Sequence, residues 1–192
     1  MTIPYILFFI SVLIWLFPPV RQYRTEYFLF FLILAIADPV GALLNIFLAV
    51  KPIHENLVIT FLLIIALVDT ERLKKRWIFV FLSFLILMTA MIFLPFKSMY
   101  GIKILLSSIV LFIILKNALL YFNQKQTINL FFLVLILYEI TIIIKFIYTA
   151  SRTHTGTVYF YTTSFFEFFI GIFFSFFNKN NSPDFKLIKE EV

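Results

Sequence analysis

A chain of 192 residues that is 62% hydrophobic and only 14% charged is too apolar for a soluble domain, where about 45–50% apolar and about 25% charged residues are usual. Its net charge of +6 comes from basic residues set between apolar runs, so it marks membrane topology and excludes nucleic acid as a partner. With no cysteine, disulfides, thiolate metal sites and cysteine nucleophiles are excluded as well.

The pattern predicts an all-α integral membrane bundle of seven transmembrane helices in a cell membrane, with the N-terminus outside and the C-terminus inside. The first apolar run, 3–17, has no basic residue before it and no small-residue cleavage site after it. It therefore reads as a span rather than a signal peptide, ended by Pro18-Pro19 and followed by Arg21 and Arg24, which stay inside. The second span, 27–50, is closed by Lys51-Pro52 and carries Asp38-Pro39 near its middle.

The third span is short, because only thirteen residues separate Glu55 from Asp69 where roughly 20 are usual. It is drawn at 53–68, since a crossing there puts Arg72, Lys74, Lys75 and Arg76 on the same side as Arg21 and Arg24. The remaining spans are 77–94, 99–122, 128–150 and 157–177, with an inner loop at 123–126, and 178–192 forms a short polar cytoplasmic tail. In this layout eleven Lys and Arg fall on or toward the inside and five toward the outside, the bias that orients such a bundle. Arg72, Lys74, Lys75 and Arg76 are assigned to topology and to attraction for anionic lipid headgroups. The 28 Phe are read as lipid-facing surface and imply no aromatic cofactor.

Function should lie among ionisable groups inside the spans, each costing roughly 2.5–3.5 kcal/mol at mid-depth. Asp38, Glu139 and Glu167 all fall near the middle of their spans. In the second span Ala35, Asp38, Ala42 and Asn45 recur at spacings of three and four, a small and polar seam expected to face the bundle. Glu167 sits on a similar seam with Thr163 or Ser164, Gly171 and Ser175. Asp38 and Glu167 are therefore expected to share a polar cavity, with Asn45, Ser164 or Thr163 within hydrogen-bonding reach. Glu139 lies at the edge of a stripe of Tyr138, Thr141, Lys145 and Tyr148, among apolar neighbours. Lys145 and Lys103, the latter with Tyr100 and Ser107 on its face, are expected to form a basic collar above the three acids.

Signatures of catalysis are missing: no HExxH, no GxSxG, and no Ser-His pair within the spans. The only histidines, His54 and His154, sit in or beside outer loops and are read as solvated rather than metal-bound. Glu167 stands where a retinal protein would need its Schiff-base lysine. No catalytic residue, metal or cofactor is assigned.

An acidic residue in the second span (Asp38), a basic loop after the third (Arg72 to Arg76) and an aromatic, polar-spotted last span (Tyr159 to Phe177) give a layout that resembles stand-alone bacterial seven-span proteins of unassigned function. Those look like the membrane input domains of sensor kinases without the kinase. The resemblance covers nearly the whole chain and implies a sensing or partner-binding role. Three readings stay open. The first is a non-enzymatic sensor or accessory subunit whose inward stripes take a small ligand or another membrane protein's helix, with the lipid bilayer around it. The second is a proton-coupled carrier of a small solute. The third is a lipid-modifying enzyme using Asp38 and Glu167.

Overall fold

The computed structural model describes residues 3–68, 70–151 and 156–186 and is mostly helical. Helix α1 (Ile3–Trp15) breaks at Leu16, and α2 (Phe17–Arg21) begins at once. Pro18 and Pro19 occupy the first turn of α2, where a missing N–H costs nothing and the fixed φ suits a helix. The proline pair thus opens a short helix instead of ending one at residue 17. Helix α3 (Phe28–Leu48) continues through Pro39 and stops at Ala49, which takes a left-handed φ of 50°.

Helix α4 (Pro52–Leu67) has Pro52 in its first turn and runs for 16 residues. The basic loop is itself helical, as α5 (Thr70–Lys75), and leads into α6 (Trp77–Phe93). Helix α7 (Phe96–Lys125) is 30 residues long, so the expected inner loop at 123–126 is mostly its last turn, closed by Gln126 at a left-handed φ of 53°. Helices α8 (Leu130–Ser151) and α9 (Gly156–Phe176) follow.

Three of these helices, Phe28–Leu48, Phe96–Lys125 and Leu130–Ser151, are long and apolar enough to cross a membrane. Shorter apolar helices accompany them at Phe9–Arg21, Pro52–Leu67, Trp77–Phe93 and Phe165–Phe176. The outer surface is rich in exposed Phe, Leu and Ile, most densely on α6, where Phe79, Ile86, Ile92 and Phe93 are each at least 70% exposed.

In the interior, α7 packs against α8 and α4, α3 against α4, and α1 and α2 against α9. Phenylalanine is core as well as surface: Phe30, Phe31, Phe131 and Phe174 are fully buried, and the Phe31 and Phe174 rings lie 4.7 Å apart. A second, smaller core joins Ile53 and Leu57 of α4 to Leu87 of α6 and Met99 of α7. Gly171 lets α9 approach α1 closely, since a Cβ there would lie 2.9 Å from Ile14 Cγ2 and 3.3 Å from the Trp15 indole nitrogen.

The polar segment after α9 does not hang free. Residues Asp184–Lys186 form β2, which pairs antiparallel with β1 (Thr127–Asn129), setting Asn129 opposite Asp184. The buried Asn129 amide donates to Asp184 Oδ1 (2.8 Å) and to the Lys179 carbonyl (3.2 Å), and its Oδ1 accepts from the Phe131 N–H (2.9 Å), which caps α8. Tyr121 of α7 donates to the same Asp184 carboxylate at 3.0 Å. From the other side, Arg21 and the fully buried Gln22 donate to the carbonyls of Phe176 and Phe177, each at 2.9 Å, satisfying the open end of α9. Lys179 pairs with Glu26 at 2.6 Å. This clasp ties the chain after α9 to α2, α7 and the start of α8.

Candidate functional site

Away from the clasp, the interior opens into a cavity of about 220 Å³ walled by α1, α3, α4, α7, α8 and α9. Each wall helix delivers its polar residues at helical spacing. On α8 the buried stripe Phe131, Leu135, Tyr138 and Ile142 steps by four, three and four residues and turns polar at Lys145, with Glu139 beside Tyr138. On α7 the buried face of Val110 and Ile114 leads back to Ser107 and Lys103. On α4, Asn56, Thr60 and Leu63 line the wall together with Glu55 and Ile59, one residue earlier in each pair. Asp38 comes from α3, Glu167 from α9, and Ser11 and Trp15 from α1.

The charges are arranged in pairs rather than layers. Lys145 donates to Glu167 at 2.8 Å, their side chains 33% and 18% exposed, the geometry of a charge-assisted hydrogen bond sheltered from solvent. Lys103, nearly fully buried, donates to Thr60 Oγ1 and lies 5.0 Å from the Phe146 ring centroid. Thr60 passes its own proton donation to the Asn56 carbonyl at 2.7 Å. Glu139 is only 2% exposed and lies within electrostatic reach of Lys103. In place of a collar standing apart from the acids, Lys145 bonds directly to Glu167 and Lys103 to Thr60, because a sheltered ammonium is stabilised most by a partner within hydrogen-bond reach.

Asp38 and Glu55 form a different kind of pair. They lie on neighbouring helices within electrostatic reach of each other, and among the described residues neither has a hydrogen-bond or ion-pair partner. Gly41 makes the approach possible, since a Cβ at that position would run into the Glu55 carboxylate. Elsewhere in the lining of the same cavity, the Trp15 and Tyr138 rings pack against each other with centroids 5.3 Å apart. Ser107 Oγ is fully buried with no partner among the described residues.

Of the residues singled out in the sequence, Asp38, Glu139, Glu167, Lys103 and Lys145 line this one cavity. Asn45 does not: it is exposed toward the far end of α3, so the small-residue seam faces inward at Ala35 and Gly41 but not at Asn45. Among the described residues Glu167 takes Lys145 as its partner; Thr163 is buried on α9, and the Ser164 side chain lies outside the described residues. Lys74 pairs with Glu71 at 3.4 Å with both side chains exposed, and Lys75 and Arg76 are exposed, all apart from the cavity. The Arg72 side chain and all of His154 lie outside the described residues. His54 is half-buried between α3 and α4, in a separate apolar pocket, and not solvated as expected.

Glu55, Asn56 and Thr60 were not picked out by sequence reasoning. Their signal was present as Asn56 and Thr60 at i and i+4 beside a carboxylate, but it sits at the end of the shortest span, where a polar residue reads as loop. No protein-family model, curated protein or solved structure matches this chain.

Proposed function

We propose that this chain is a seven-span protein of the cell membrane, N-terminus outside and C-terminus inside, that binds a small polar solute in its interior cavity as a non-enzymatic sensor or accessory subunit. The observation that carries the reading is the convergence of six ionisable side chains from five helices on one cavity, Lys103 and Glu139 buried and Asp38 at its exposed side. Buried charge is expensive in a bilayer, and a fold that needed only packing would fill this space with Leu and Ile. Three long apolar helices support crossing, and the proposal counts the four shorter ones, with α1 and α2 taken as one, as the other crossings, which would set the basic α5 on the inner face against anionic headgroups.

Purified protein in lipid nanodiscs, melted against a panel of small cationic, zwitterionic, neutral and anionic solutes, tests the binding reading. At least one class should raise the melting temperature saturably, and Asp38→Asn should weaken that response. No response from any class would overturn it.

Orientation has its own test. Because the chain has no cysteine, Thr70→Cys is a unique label site, and it should react with a membrane-impermeant maleimide only after the cells are opened. Labelling of intact cells would reverse the assignment.

Carriage of the solute coupled to protons is a second reading, favoured by the Asp38-Pro39 pair in the middle of α3. Solute-driven pH change inside proteoliposomes separates it from static binding.

A further inference from the structure

Resting on that binding reading, we infer that the cavity's ligand is a small organic cation, an amine or alkylammonium, held between Asp38 and Glu55 against the Trp15 and Tyr138 rings. The argument begins with charge. Four carboxyl groups and two ammonium groups line the cavity. Lys145 is committed to Glu167 at 2.8 Å, while Lys103 is held by Thr60 and faces Glu139. Asp38 and Glu55 are left within electrostatic reach of one another, with Lys145 acting on Asp38 only from beyond ion-pair distance and no ion-pair partner for either among the described residues. Asp38 is exposed and Glu55 half-buried, so their like charges are screened only in part, and a ligand cation shared between them would remove the repulsion that is left.

The surroundings say which kind of cation. A divalent metal needs three or more closely set His, Asp or Glu donors, and no such group exists among the described residues. Aromatic rings suit an ammonium group instead, and Trp15 and Tyr138, packed against each other with ring centroids 5.3 Å apart, both line the cavity. The buried Ser107 hydroxyl, without a partner among the described residues, is an acceptor still open to an N–H donor. A cavity of about 220 Å³ suits a compact molecule of this class.

Trp15 makes the experiment direct, because the only other tryptophan, Trp77, is exposed at the start of α6 and can be replaced by Phe. In nanodiscs, the Trp77→Phe protein is titrated with n-butylamine, tetramethylammonium, butan-1-ol and butyrate while Trp15 emission is followed. The two cations should change the emission saturably, and the alcohol and the acid should not. Asp38→Asn and Glu55→Gln should each weaken the amine by about tenfold or more, as expected for loss of a charge-assisted hydrogen bond. Equal or better binding of butan-1-ol or butyrate would overturn the cation assignment and leave the pocket reading standing. Silence from all four probes, with no solute of any charge stabilising the protein, would overturn both. Should either variant fail to fold, the charge series on the Trp77→Phe protein decides alone.

Discussion

Lys145→Met should destabilise the protein in detergent by about 2–3 kcal/mol, and adding Glu167→Leu should recover most of that loss. The single change leaves the Glu167 carboxylate facing the cavity without the ammonium that now sits 2.8 Å away. Breaking a fully buried pair on one side costs about 3–5 kcal/mol; with the two side chains 33% and 18% exposed here, solvent screening trims the figure. The double variant removes both charges and fills the gap with apolar side chains, which is commonly neutral. Thermal or denaturant unfolding of the single and double variants checks it. A Lys145→Met protein as stable as the parent would mean that the pair does not hold α8 to α9, and a double variant no better than the single would point to lost packing instead of stranded charge.

Asn129→Ala should cost a similar amount, about 2–4 kcal/mol, with a local signature. One side chain there donates to Asp184 and to the Lys179 carbonyl and accepts from the Phe131 N–H, all in a position only 2% exposed. Its removal deletes two part-buried hydrogen bonds, at about 0.5–1.5 kcal/mol each, and a helix cap, at about 0.5–2 kcal/mol. Asn129→Ser should return only the cap's share, since a hydroxyl can accept from the helix but cannot span to Asp184. Limited trypsin digestion should also cleave the alanine variant faster after Lys179 and Lys186, because β2 loses its anchor. Unchanged cleavage and an unchanged melt would show that the tail is held by its backbone pairing alone.

The cavity was legible in the sequence to the extent that depth and helical spacing reveal it. Asp38, Glu139 and Glu167, each midway along a long apolar run, do meet, and so do Lys103 and Lys145. Helical phase gives the face a residue is on but not which neighbour stands there. That is why Asn45, in phase with Asp38, lies outside the cavity lining, and why Lys145 reads as part of a layer where it is the partner of Glu167. Glu55 was misplaced for a different reason: at the end of a short span, hydropathy cannot separate a loop carboxylate from one folded inward, and the deciding contact, the notch at Gly41, belongs to another helix. The clasp left no periodic trace at all. Its bonds join residues far apart in the chain through single side chains and three-residue strands, and a polar tail of ordinary composition gives no hint of its partners.

The closure of α9 by Arg21 and Gln22 also has a consequence in time. The two ends of those hydrogen bonds are 155 residues apart, and α1 packs mainly against α9, far later in the chain. At about 5–20 residues per second, a ribosome needs on the order of ten to thirty seconds to make the missing partner. Through that interval α1 and α2 wait beside a growing bundle with Gln22 lacking the carbonyl it is built to meet. The contacts of α1 and α2 with α9 therefore form only after α3 to α8, which lie between them in the chain, have been made.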